Sequence, residues 1–345
     1  MSSAPHILIA GAGAVGQAYG RHLRLGGGRV AFLVKPKYAE EAFSGYAMYA
    51  LNTRAGKRRE PVRFEGFEVV TDLAAVAAQR WDQVWLCLSS TALRGGTWLA
   101  DLCGAIGDAT LVSLTPALDD HAFVTARYPA DRVVSGMINM ISYQAPLAGV
   151  GSTVGSSAGE VVPTPGVAYY RPPGKNPFSG PADARVLGVV AALAAGGWKA
   201  KRVPDAARPA NFGSAMMMPT LVALEASDWS FARLRQSPHL KTAMAASREA
   251  MKVVAAYRGE SQPFSRVALR PWVIRLLTRL APLALPLDIE TYLGYHFSKV
   301  GDQTAFMLKG YTVLGAERGV ATPALAELLE VLERTRAALP SAQAK

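Results

Sequence analysis

The chain is expected to fold as an α/β protein, with an N-terminal Rossmann-type, doubly wound parallel sheet followed by an all-α C-terminal domain. Three observations lead there. The apolar run His6-Ile7-Leu8-Ile9-Ala10 ends in a glycine turn, G-A-G-A-V-G over Gly11 to Gly16, that opens a small-residue helix reaching Leu25. Gly26, Gly27 and Gly28 break that helix before a second apolar run, Val30 to Val34. Beyond Val203 the apolar residues recur at helical spacing to the end of the chain.

Strand, helix and strand within about 30 residues form a βαβ unit, which demands a parallel sheet and a right-handed crossover. The apolar runs Gln83 to Leu88 and Thr110 to Leu114, with a helical stretch at Leu93 to Leu102 between them, continue the alternation. From Pro146 to Pro181 the texture turns to Gly, Ser and Pro. There Val161, Val162, Val167, Ala168 and Tyr169 suggest either a long loop or antiparallel strands closing the sheet edge. A helix at Ala182 to Ala195 and a strand near Lys199 to Val203 complete a domain spanning 1–203. The second domain, 204–345, is expected to hold helices at Asn211 to Trp229, Pro238 to Arg258, Val267 to Leu280, Ile289 to Leu314 and Pro323 to Leu339.

The 345 residues are long enough for two cores, and 50% apolar with 18% charged residues is a globular composition. No signal-peptide pattern precedes the first strand. The apolar stretch Trp272 to Leu287 is interrupted by Arg275, Arg279 and two prolines, so no membrane segment and no membrane partner are expected. That stretch is a candidate for burial against a second subunit, as in a homodimer. Cys87 and Cys103 lie in apolar surroundings and read as buried thiols suited to a reducing cytoplasm. The net charge of +11 is spread along the chain, with one cluster at Arg54, Lys57, Arg58 and Arg59 and no aromatic platform beside it. No nucleic-acid partner is expected, and a positive field would draw in a phosphate-rich cofactor or an acidic substrate. No metal site is expected.

The glycine motif follows a strand, opens a helix and belongs to a βαβ unit, the context a dinucleotide site requires. Gly11 permits the turn, Gly13 admits the pyrophosphate and Gly16 allows close helix–strand packing, so Gly11, Ala12, Gly13, Ala14, Val15 and Gly16 are expected to bind the cofactor. About 20 residues past the motif an NAD enzyme carries a carboxylate for the ribose 2′-hydroxyl. Here Lys35 stands there, with Lys37 close by, so the expected cofactor is NADP (NADPH).

Three segments resemble the ketopantoate reductase family: the N-terminal I-L-I-A-G-A-G-A-V-G, the V-S-L-T-P-A-L at Val112 to Leu118, and K-G-Y-T-V-L-G-A-E-R-G-V-A-T-P from Lys309 to Pro323. The resemblance implies a Rossmann domain, a helical domain and an active site in the cleft between them. It does not carry over the family's catalytic set. No lysine lies between Lys201 and Lys241, the family's asparagine falls on Pro116, and its glutamate falls on Gln303-Thr304. Its cofactor-contacting lysine falls on Ser89, which is retained as a cofactor-binding candidate.

A reductase needs a general acid beside its hydride donor. Tyr292, His296, Lys299 and Gln303, spaced four, three and four apart, line one face if Ile289 to Leu314 is a single helix. His296 is the candidate proton donor near neutral pH and Lys299 a second acid or a carboxylate ligand. Asn211 is a third catalytic candidate and Ser214 a substrate contact, whereas Met216, Met217 and Met218 read as core. The expected activity is NADPH-dependent reduction of a small carbonyl such as a 2-oxo acid. The alternative is a non-catalytic NADP-binding redox sensor or scaffold.

Overall fold

The computed structural model describes residues 4–53, 60–146, 164–262, 269–285 and 287–338. The basic cluster Arg54, Lys57, Arg58 and Arg59, and Val161 and Val162, lie outside them. The chain divides into two compact units, Met1–Arg208 and Pro209–Lys345.

In the first unit β1 (His6–Ala10), α1 (Ala14–Leu25) and β2 (Arg29–Leu33) are followed by α2 (Ala39–Phe43), β3 (Tyr46–Ala50), β4 (Val62–Phe64), β5 (Glu68–Val70) and α3 (Leu73–Ala77). Next come β6 (Gln83–Leu86), α4 (Ser90–Leu93), α5 (Trp98–Ala105), β7 (Thr110–Ser113), α6 (Asp120–Thr125) and β8 (Val133–Gly136). The unit ends with β9 (Ile141–Ala145), β10 (Gly166–Tyr170), β11 (Asn176–Ser179), α7 (Asp183–Ala195) and β12 (Ala200–Arg202). The helical stretch expected at Leu93 to Leu102 is two helices. Gly96, at φ +67°, stands in the left-handed region between them, where a helix cannot run on.

Eight strands form one sheet in the order β12-β11-β8-β7-β6-β1-β2-β5. The strands from β8 to β5 pair in parallel, while β11 runs antiparallel to β8 and β12 parallel to β11. Chain direction across the sheet reverses at β1, which lies between β2 and β6, so their carboxyl ends form the switch-point crevice where such sheets bind ligands. Apolar residues cover both faces. One face packs Ile7, Ile9 and Phe32 with Tyr19 of α1 and Val189 of α7, and the other packs Leu8, Val84 and Leu111 with Val76, Leu99 and Val124.

Of the stretch from Pro146 to Pro181, expected as a long loop or as antiparallel strands closing the sheet edge, 147–163 lie outside the described residues, and β11 does run antiparallel to β8 near one edge of the main sheet. β10 belongs to a separate four-stranded sheet, β4-β3-β10-β9, pairing in parallel with β3 and antiparallel with β9. Its partner β3 lies some 120 positions earlier, a pairing that local sequence does not encode. Gly166 makes the approach possible, since a Cβ there would stand 2.2 Å from the Ala47 carbonyl oxygen.

A buried relay ties α1 to this second sheet. His22 Nδ1 donates to the Gly196 carbonyl at 2.8 Å, Tyr169 donates its hydroxyl proton to Nε2 at 3.3 Å, and Arg21 donates to the Tyr169 oxygen at 3.0 Å. This assignment leaves His22 neutral, and burial pushes its pKa down to about 4 despite the carbonyl bond.

The second unit contains α8 (Ala207–Glu225), which starts just before the division, then α9 (Phe231–Gln236), α10 (His239–Arg258), α11 (Pro271–Ala284), α12 (Ile289–Lys299), α13 (Gly301–Glu317) and α14 (Pro323–Ala337). α10 forms the spine: it packs against α13 and α14, and its Leu240, Met244 and Val254 are buried. α8 ends at Glu225 rather than Trp229, because Asp228 (φ +47°) and Trp229 (φ +57°) are left-handed. The single helix expected over Ile289 to Leu314 is broken at Val300 (φ −111°, ψ 31°). Arg336 of α14 sits at this break: it donates to the Gly301 carbonyl at 3.0 Å and grips the Glu225 carboxylate at 2.7 and 3.0 Å. A Cβ on Gly301 would meet the same guanidinium at 3.1 Å.

The His22 relay has a pH signature. Its folded pKa lies below the unfolded value, so its contribution is complete above about pH 6.5 and is lost as pH falls toward 4. Urea midpoints measured across that range should show a loss of up to about 3 kcal/mol from this group. The dependence should be flatter in His22→Gln, which cannot titrate.

Candidate functional site

The glycine loop is shaped by three different constraints. Gly11 has φ +102°, and a Cβ on it would stand 2.8 Å from both the Cys87 carbonyl oxygen and Leu88 Cδ2. Gly16 has no room at all, since its Cβ would lie 1.9 Å from the Gly11 carbonyl oxygen. Gly13 is the reverse case: it is exposed, and nothing lies within 4 Å of where its Cβ would be. Gly13 is also the N-cap of α1 and supplies no capping side chain, so the first-turn amides of Ala14, Val15 and Gly16 are open to an anion. Gln17 steadies the loop by donating to the Ala12 carbonyl at 2.8 Å. These features fit a dinucleotide pyrophosphate: open space, unpaired amides and the positive end of a twelve-residue helix meet at one point.

The loop after β6 borders the same crevice, because the Cys87 amide donates to the Ala10 carbonyl at 3.0 Å. Ser89 Oγ caps α4, accepting from the Ala92 amide at 3.1 Å and sharing a proton with Thr91 Oγ1 at 2.9 Å. The neighbouring buried network carries more weight than its sequence suggests. Asp120 accepts from Ser90 Oγ, from Arg94 and from the Ala117 amide at 2.8 Å, while Arg94 also pairs with Asp119 at 2.9 Å. This cluster clasps the loop after β6 to Thr115-Pro116-Ala117 after β7. Nothing in the sequence links Ser90 and Arg94 to a carboxylate 30 and 26 positions later.

Beyond β2, Lys35 and Lys37 are both exposed. Lys35 precedes a single 3₁₀ turn at Pro36–Tyr38, and the Lys37 ammonium lies 4.8 Å from the Tyr38 ring centroid. Among the described residues neither lysine is ion-paired. Cys87 and Cys103 are free thiols; burial raises the pKa of Cys87 and pushes that of Cys103 up to about 11, so neither is a ready nucleophile.

In the second unit α12 is oriented from three sides. Asp288 caps it, Glu290 accepts from the Phe231 amide that opens α9, and the Trp229 ring packs 3.1 Å from where a Cβ of Gly294 would be. Tyr292 is buried, His296 half-buried with its ring 5.4 Å from that of Tyr292, and Lys299 exposed. The break at Val300 removes Gln303 from this face: it sits, buried, on α13 beside Thr304, whose buried hydroxyl has no partner among the described residues. The proton-donor role expected of His296 near neutral pH needs correcting, because desolvation, reinforced by the Lys299 charge, lowers its pKa to about 4 and leaves it neutral at pH 7. Asn211 and Ser214 are both buried on α8. Of the three methionines only Met218 is core, and Met217 is exposed. Among the described residues no group of three or more His, Cys, Asp or Glu could hold a metal ion, and no helix is long and apolar enough to cross a membrane.

No protein-family model and no curated protein matches the sequence. Solved structures do match. A D-mandelate dehydrogenase in ternary complex with NADH and anilino(oxo)acetate is similar with TM-score 0.70 at 16% identity, over 96% of this chain and 98% of that one. A PanE/ApbA family ketopantoate reductase from Ralstonia eutropha gives TM-score 0.68 at 16% identity, over 96% and 98%. A 2-dehydropantoate 2-reductase from Geobacter metallireducens gives 0.68 at 15%, over 95% and 99%. The chain therefore has the ketopantoate reductase fold along nearly its whole length.

The glycine geometry separates binding from folding. Gly13→Ala should leave the thermal midpoint unchanged while weakening dinucleotide binding by an order of magnitude or more, roughly the effect of blocking the pyrophosphate approach. Gly16→Ala should lower both, because the loop itself must move. Thermal melts and fluorescence titration of the two variants check this.

Proposed function

We propose that the chain is an NADPH-dependent oxidoreductase that reduces a small carbonyl compound, a 2-oxo acid or a close relative, to the alcohol. The observation that carries the reading is the open, uncapped start of α1 at Gly13, with Lys35 where a carboxylate would otherwise select NAD. The D-mandelate dehydrogenase of the same fold, solved with NADH and anilino(oxo)acetate, supports a nicotinamide cofactor and an oxoacetate-type ligand. We assign the cofactor to the first unit and substrate chemistry to the second.

When bound, the cofactor supplies a hydride to the carbonyl carbon. The chain's part is to hold and to protonate. The amides of Ala14, Val15 and Gly16 receive the pyrophosphate, Lys35 the 2′-phosphate, and the loops clasped by Asp120 keep the crevice in shape. Reduction leaves an alkoxide that needs one proton. His296, neutral at pH 7, does not store it; its imidazole serves as a hydrogen-bonding group. Lys299, exposed and bearing three N–H donors, is the better source, and the Asn211 amide is suited to hold the substrate.

The neutral state of His296 also favours a second reading, a protein that binds NADP without turning it over, as a sensor or scaffold would. Fluorescence titration with NADPH and NADH, followed by NADPH oxidation with a panel of 2-oxo acids and ketones, separates the two. The proposed enzyme binds NADPH at least about tenfold more tightly than NADH, a difference of ~1.4 kcal/mol, and Lys35→Asp reverses the order. Lys299→Ala lowers kcat by about two orders of magnitude, a typical general-acid effect. Tight NADPH binding with no turnover would instead establish the sensor, and failure to bind either nucleotide would overturn both readings.

A further inference from the structure

α11 has its apolar face turned the wrong way for an ordinary surface helix. At 3.6 residues per turn, Trp272, Leu276, Leu277, Leu280 and Leu283 fall within an arc of about 140°. All five are exposed, Trp272 by 54% and Leu283 by 83%. The opposite arc, centred on buried Thr278 and half-buried Ile274, is the one turned inward: the Thr278 carbonyl accepts from Arg235 of α9 at 3.4 Å. Arg275 and Arg279 flank the apolar arc on one side. An apolar stripe of this length on a surface helix marks a contact with something outside the chain.

The charges say what that something is. From Ser261 to Leu287 the sequence contains no acidic residue and four arginines, Arg266, Arg270, Arg275 and Arg279. A second copy packed face to face would set this acid-free, arginine-flanked surface against itself, because a two-fold contact joins the same patch on both subunits. An anionic lipid surface suits it on both counts, with headgroups for the arginines and acyl chains for the leucines. Tryptophan at the start of the stripe is the residue that prefers the headgroup boundary. The expectation of no membrane partner rested on the lack of a spanning segment, and a helix lying in the surface plane is a different arrangement.

We propose that α11 is a peripheral membrane-docking helix that seats on anionic lipid through its leucine stripe and arginine flank. The inference is independent of the catalytic assignment. It is tested by flotation of the full chain with vesicles of phosphatidylcholine alone and of equal parts phosphatidylcholine and phosphatidylglycerol. The chain should float with the mixed vesicles and not the neutral ones, and added salt should weaken the association. Arg279→Ala should weaken it about fivefold, the effect of roughly one headgroup-level cation. Leu276→Asp with Leu280→Asp should abolish it, and since both side chains are exposed the far-UV circular dichroism and thermal midpoint should not change. Failure to float with either vesicle, or equal flotation with both, would overturn the proposal. So would a dimer in sedimentation equilibrium that the leucine variants dissolve.

Discussion

The contact between Gly16 and the Gly11 carbonyl is the constraint on which the first unit rests. It is so close that no side chain fits, and α1 can therefore begin directly against the end of β1. The close start brings Tyr19 and Leu23 onto the sheet and leaves the amides of the first turn without internal partners. It also brings Gly11 under the loop that follows β6. The same geometry that packs the core thus leaves an uncapped helix start of the kind that suits an anion. The adjoining Asp120 cluster extends the logic: a buried carboxylate with three donors is costly to disturb, so it holds two loops in one arrangement.

The second unit depends on a comparable clasp. Glu225 closes α8 and receives Arg336 from α14, whose guanidinium also takes the Gly301 carbonyl. One arginine therefore ties together the end of α8, α14 and the start of α13. The break at Val300 beside it separates His296 and Lys299 from Gln303 and Thr304. Lys299 is left exposed at the end of α12, while Gln303 and Thr304 are buried near the start of α13. What spacing presents as a single polar face is two short arrays with different exposure.

Much of this was legible in the sequence where the cause is local. The strand at His6–Ala10, the glycine turn and the start of α1 follow from residues within a few positions of each other, as does the absence of a carboxylate near Lys35. What escaped has non-local causes. The second sheet joins β3 to β10 across some 120 residues. The break at Val300 coincides with a contact to an arginine 36 positions further on. The lowered pKa of His296 comes from burial among aromatic rings, which periodicity does not report, and a helical wheel drawn through Val300 assumes a continuity that the chain does not have. The Asp120 cluster gave no signal because each of its members is an ordinary residue at its own position.

The central claim is that the uncapped start of α1 holds a nicotinamide dinucleotide. Hydrogen–deuterium exchange of the full chain with and without NADPH tests it most directly, since those amides have no helix partner of their own. The account requires slowed exchange over Gly11 to Gly16 and around Lys35, with smaller changes after β6. Unchanged exchange at the glycine loop, or protection confined to other segments, would contradict it.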